Sequence, residues 1–160
     1  MVNLNKCFLM VVMVLCASSS ACHARQCTFD PNSIKQPGLK GEVVQSTTWN
    51  KDRLEYRAIL ADGAVLFVKY WACEHYGLSA ELAATVENGS DKTYRELIER
   101  VARAVLDKEL NAAVVQALTQ QKSFAVGQDI DFRAAGITEG TLSIRRIGVL
   151  TLVSVSYYRN

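Results

Sequence analysis

Neither sign of charge is in excess in this sequence: 18 Lys and Arg stand against 16 Asp and Glu over 160 residues, a formal net charge of +2. That balance supplies no overall field to steer the chain onto nucleic acid or an acidic membrane, and nucleic-acid binding is set aside on that ground. Histidine is scarce, with His23 and His75 alone. The short motifs that announce common chemistries are missing as well. There is no Walker loop, dinucleotide fingerprint, H-E-x-x-H zinc helix, C-x-x-C-H haem attachment or G-x-S-x-G nucleophile turn. Beyond the first residues no apolar run approaches the ~20 needed to span a bilayer. The most apolar later stretch, VLTLVSVSYY, is short and carries Thr151, Ser154 and Ser156.

What is present begins with an address label. Lys6 precedes an unbroken apolar run from Cys7 to Ala17, followed by Ser18-Ser19-Ser20-Ala21. A charged start, an apolar middle too short to span, and small residues for a peptidase make residues 1–24 a secretory signal peptide. Cleavage after Ala24 sets Cys22 and Ala24 at the specificity positions; cleavage after Ala21 would leave Cys22 first, where bacterial lipoproteins carry a lipid anchor. Ser19 stands where such a signal has a leucine-like residue, so the main reading is a soluble exported protein, periplasmic or secreted.

Removal of the leader takes Cys7, Cys16 and Cys22 with it and leaves Cys27 and Cys73. In an oxidising compartment two such thiols pair. A disulfide between them closes a loop of about 45 residues, a stabilisation of roughly 3–4 kcal/mol in the chain-entropy picture. A metal held by Cys27, Cys73 and His75 is the competing reading. Cys73-x-His75 lacks the spacing of structural sites, so neither metal nor cofactor is expected.

Residues 25–41 form an irregular lead-in that holds both prolines, Pro31 and Pro37; residues 42–160 are read as a single α+β domain. Strands are expected at 42–49, 53–60, 64–73 and 78–86, with Asn50-Lys51-Asp52 and Asp62-Gly63 as turns. The stretch 64–73 is apolar on both sides, as a central strand is. One long helix is expected over 92–118, capped by Ser90 or Asp91, with Tyr94, Leu97, Ile98, Val101, Val105 and Leu106 as its apolar stripe. Asn111 marks a candidate break. Glu96–Arg100 and Glu99–Arg103 are four-apart pairs on its wet side. Strands return at 123–132, 141–146 and 149–158, with Gly148 as either a turn or a bulge. The fold class is therefore two-layer: an antiparallel sheet of about six to seven strands packed on one long α-helix, its other face wholly or partly open. That face either meets solvent or is covered, a second copy of the chain being one candidate.

No catalytic residues are assigned. His75 is the sole histidine after processing, and Cys73 is engaged in the disulfide. Asp129 and Asp131 share one side of a strand opposite Phe124, Val126, Ile130 and Phe132, as a solvated face does. On strand 64–73, Lys69 and Trp71 share a side with Phe67, a strip of aromatic area beside a charge. Glu74-His75-Tyr76-Gly77 follows as a loop pinned at Cys73 and so preorganised. Lys69, Trp71, Glu74, His75 and Tyr76 are the candidate partner-binding residues. The segment Cys73-Glu74-His75, with the general build, resembles exported lysozyme inhibitors, which present a histidine on a cysteine-anchored loop to an enzyme cleft. Those inhibitors anchor the loop between two nearby cysteines; here the second is Cys27. The resemblance implies a non-catalytic, inhibitor- or immunity-like protein that binds another macromolecule, such as a cell-wall-acting enzyme, through residues 69–77. The alternatives are a small-molecule or lipid carrier using the sheet–helix cleft, and an unrecognised hydrolase.

Overall fold

Alternation of apolar and polar residues sets most of the strands. The computed structural model describes residues 28–87 and 89–159; the leader with its two cleavage positions and Cys27 lie outside them. A 3-10 turn at Pro31–Ser33, capped by Asp30, interrupts the lead-in. Four strands follow, β1 (Val44–Asn50), β2 (Glu55–Leu60), β3 (Val65–Ala72) and β4 (Tyr76–Thr85). Two helices come next, α1 (Asp91–Val105) and α2 (Lys108–Gln120), and then β5 (Asp129–Phe132), β6 (Glu139–Ile147) and β7 (Leu150–Arg159).

All seven strands form one antiparallel sheet in the order β1-β2-β3-β4-β7-β6-β5. Two meanders, β1–β4 and β5–β7, thus meet at a single seam where β4 and β7 pair from Tyr76↔Arg159 to Thr85↔Leu150. The helices carry the chain across one face between them. Asp62-Gly63 makes the expected tight turn, with Gly63 at φ 84° and the Ala64 N–H donating to Asp62 Oδ1. Gly148, at φ 60°, resolves as a hairpin turn joining β6 to β7 rather than a bulge.

The core follows the register. Ala58, Leu66, Leu82, Val153 and Ile144 lie in successive cross-strand partnerships on the covered face, next to a row through Tyr56, Val68, Ala80, Val155 and Leu142. All ten are buried. From α1, Tyr94, Ile98, Val101, Ala102 and Ala104 pack onto them, and from α2, Leu110, Val114, Ala117 and Leu118.

The expected single helix over 92–118 is two helices. Its break falls at Leu106 and Asp107, not at Asn111, which lies inside α2. Leu106 takes an extended conformation while Asp107 caps α2, accepting from the Leu110 N–H at 2.9 Å. A straight 27-residue helix would run ~40 Å, whereas the longest strands, of 10 residues, reach only ~33 Å. Breaking the helix keeps both apolar stripes on the sheet.

Arg100 also departs from the helix-surface pattern. It does not pair with Glu96, which meets Lys92 instead at 3.8 Å. Its guanidinium donates from Nε and Nη2 to the Glu42 carboxylate and from Nη1 to Asp62 Oδ2. Glu99–Arg103 is not among the ion pairs of the described residues. A bidentate partner from another element outcompetes an exposed four-apart pair because it is largely desolvated.

One strand is also much shorter than expected. The stretch expected as a strand over 123–132 is strand only at Asp129–Phe132; Val126 and Gly127 form a turn, Gly127 at φ 87°. Phe124 is nonetheless buried, with the Arg95 guanidinium over its ring at 5.1 Å. β3 is an interior strand, between β2 and β4, covered by the helices on one side, while Phe67, Lys69 and Trp71 are exposed on the other. Asp129 and Asp131 are exposed as expected.

Candidate functional site

The uncovered face of the sheet positions the candidate residues. β4 begins at Tyr76, so the expected four-residue loop contracts to a turn at Cys73-Glu74-His75, closed by the Cys73 N–H donating to the His75 carbonyl at 3.3 Å. Alternation then decides which side chains meet. Lys69 and Trp71 lie on the open face; Tyr76 shares the covered face with Leu78 and sits between the rings of Phe29, at 6.0 Å, and Tyr157, at 6.5 Å. Tyr76 is therefore separated from the other four candidates and serves the packing of the lead-in.

Trp71 stands opposite Gly77, and its indole lies directly over that glycine. A Cβ at Gly77 would come within 2.7 Å of Cζ2 and closer still to Nε1. Glycine is thus what allows a large ring to lie flat on the strand, where it remains 37% exposed. The register continues the row from Gly77 to Tyr158 of β7 and on to Glu139 of β6. The Tyr158 hydroxyl donates to Glu139 Oε2 at 2.8 Å, and the His75 ring lies 6.3 Å from the Tyr158 ring. The hydrogen bond to Glu139, and then its charge, hold the Tyr158 phenol above its ordinary pKa.

One step along the strands, Lys69 is tied to Glu55 at 2.9 Å. Beyond it the floor is small and hydroxylic, running Ser79, Ser156 and Thr141 in one row and Ser154 and Ser143 in the next. Trp71, Ala72, Cys73, Glu74 and His75 line a shallow hollow of about 310 Å³. The site is a flat aromatic shelf with an imidazole, a phenol and carboxylates at its edge. Such a surface offers apolar area at low entropic cost, with hydrogen-bond donors and acceptors around it.

Sequence reasoning missed Gly77 as a packing partner and missed Tyr158 and Glu139 altogether. They reach the site only through pairing of β4 with β7 and of β7 with β6, and nothing local to residues 139 or 158 signals it. Cys73 is disulfide-bonded. The expected partner, Cys27, lies outside the described residues; the Phe29 N–H donates to the Cys73 carbonyl at 3.0 Å. Among the described residues no three His, Cys, Asp or Glu side chains gather as a cation-binding group, and no helix is long and apolar enough to cross a membrane.

Gly77→Ala is expected to lift the indole off the strand with little loss of stability, because the ring is free to swing into solvent. In a Trp49→Phe background, leaving Trp71 as the reporter, emission should shift to longer wavelength while the melting temperature stays nearly constant. An unchanged spectrum would mean that the ring does not rest on Gly77.

No protein-family model, curated protein or solved structure matches the chain.

Proposed function

We propose that this chain is an exported, non-catalytic binding protein, inhibitor- or immunity-like, that captures another macromolecule through the open-face shelf of Lys69, Trp71, Glu74 and His75, with Tyr158 and Glu139 beside them. The observation that carries the reading is Trp71: a large ring laid on a glycine and left 37% exposed on a sheet face that neither helix covers. A buried-edge aromatic with few rotamers to lose is the usual energetic centre of a protein interface. The leader at residues 1–24 and a Cys27–Cys73 disulfide belong to the same proposal; the disulfide would hold the turn that presents His75. A cell-wall-acting enzyme is the partner class that the cysteine-anchored histidine suggests.

The carrier reading has less behind it. The void between the sheet and α1, lined by Leu60, Leu66, Leu82, Val101 and Ala104, admits no water-sized volume. The cleft of about 310 Å³ between α2 and β5 is open and is lined by Gln116, Gln120, Asp131 and Arg133 as well as Ala113, Ala117 and Phe132. The hydrolase reading rests on His75 as base, and the ring contact it makes is with Tyr158.

Trp71→Ala and His75→Ala should each weaken partner capture by about tenfold or more, as interface anchors do, while the melting temperature stays nearly unchanged. The measurement is a pull-down from the exporting compartment with the chain beginning at Arg25, followed by titration of the captured partner against each variant. Undiminished capture by both variants refutes the assignment. So does a loss of capture that merely tracks a fall in stability.

A further inference from the structure

The five most exposed large apolar side chains among the described residues are Val43, Val126, Ile147, Val149 and Leu150. All five lie at one end of the sheet, the end opposite Trp71. Val43 accepts from Ala61 beside the β2–β3 turn, Thr85 at the end of β4 pairs with Leu150, and Gly127 donates to Ile144 of β6. The rim they occupy spans roughly 30 Å across seven strands. Within it the β6–β7 hairpin carries Ile147 and Val149, 66% and 69% exposed, around the Gly148 turn.

Arg145 and Arg146 precede this tip. Strand alternation sends them to opposite faces of the hairpin, where Arg145 pairs in register with Leu152 and Arg146 with Thr151. Both are exposed, and neither has an acidic partner among the described residues. The acids at this end are Glu42 and Asp62, both bound by Arg100, Glu87 just after β4, Asp91 at the start of α1, and Asp129 at the start of β5, in register with Ser143 two residues before Arg145.

We infer that this end of the sheet docks on an anionic phospholipid bilayer, with Ile147, Val149 and Leu150 set at headgroup depth and Arg145 and Arg146 against the phosphates. An exposed aliphatic hairpin tip with cations on both of its faces suits an anionic layer whose charge surrounds the insertion point. The near-zero net charge of the chain does not oppose this, because screening limits each charge to its own neighbourhood of about 8–10 Å.

The test is co-sedimentation of the chain beginning at Arg25, which contains every element of the fold, with vesicles of mixed phosphatidylglycerol and phosphatidylcholine and with phosphatidylcholine alone. Retention is expected on the anionic vesicles only, declining as salt is raised. Val149→Asp should reduce it by about tenfold or more, and Arg145→Gln and Arg146→Gln by roughly fivefold each. Glu87→Gln should increase it, an effect that no loss of structure would produce. All four positions are exposed, and circular dichroism with a melting curve establishes that each variant folds. No sedimentation with anionic vesicles, equal binding to neutral ones, or undiminished binding of Val149→Asp overturns the inference. Self-association that Val149→Asp abolishes, without vesicle binding, would instead make this end an interface between copies of the chain.

Discussion

Alanine at Arg100 is expected to cost about 3 kcal/mol of stability and to lower the thermal midpoint by about 10 °C. The loss comes from Glu42. Its side chain is only 9% exposed, and Arg100 meets it through Nε and Nη2. Removing the guanidinium leaves a carboxylate out of water with no cation. Asp62, half-exposed, contributes less. The figure sits at the low end for a broken buried pair because Arg100 is itself partly open to solvent. Replacing both partners, as in Glu42→Gln with Arg100→Met, should recover much of the loss, since no charge is then stranded.

Acid provides a second reading of the same clamp. The Arg100 hydrogen bond holds the Asp62 carboxyl below its ordinary value. A depressed folded-state pKa contributes stability above the unfolded value, near ~4, and that contribution disappears as pH falls through the depressed folded value. The gap between the native chain and Arg100→Ala should therefore narrow below about pH 4. Denaturant unfolding at neutral and acid pH measures both effects. A gap under about 1 kcal/mol at neutral pH, or one that stays constant into acid, is incompatible with the clamp.

Leu82→Ala should be comparably damaging, at about 3 kcal/mol within the usual 2–5 for a buried leucine. Leu82 is fully buried on β4, between Leu66 of β3 and Val153 of β7. It faces α1 across a void that already excludes water. Among the described residues β4–β7 is the strand pairing that joins the two meanders, so a cavity there loosens both of them and the helix above. Neighbouring side chains are held by ladders on either side and have little room to collapse into the space. The urea midpoint should fall with the slope unchanged. Ile147→Ala, at the exposed hairpin tip, should shift it by no more than about 0.5 kcal/mol. A cost below about 1 kcal/mol for Leu82→Ala would mean that the seam is not closed.

Much of the fold was legible because strand alternation is a local property. Within the expected strand 53–60 the alternate residues Tyr56, Ala58 and Leu60 mark the covered side of β2, and Asp62-Gly63 its turn, without knowledge of any neighbour, whereas Leu54 falls in the turn before it. Ser90 was legible as a cap for the same reason: it accepts from the Thr93 N–H three residues on. The break at Leu106–Asp107 was carried by local signals too, an Asp ahead of a helical run. A continuous apolar stripe masked it, since both helices face the same sheet. Arg100 was misassigned because four-apart spacing is visible in a sequence and a cation's choice of a distant carboxylate is not.

The candidate site divides in the same way. Composition and alternation alone placed Lys69 and Trp71 together on one face of a strand, ended that strand near Cys73, and brought His75 next to it. They could not say that Tyr76 turns to the covered face, because that depends on where β4 begins, and its start is set by pairing with β3 and β7. Nor could they supply Tyr158 and Glu139, which arrive from strands some 60 to 80 residues farther along. The gathering of Val43, Val126, Ile147, Val149 and Leu150 at one end is equally invisible along the chain. Periodicity reports which side of an element a residue occupies. Which elements become neighbours, and therefore which side chains share a shelf or a rim, is decided by strand order and register in the folded sheet.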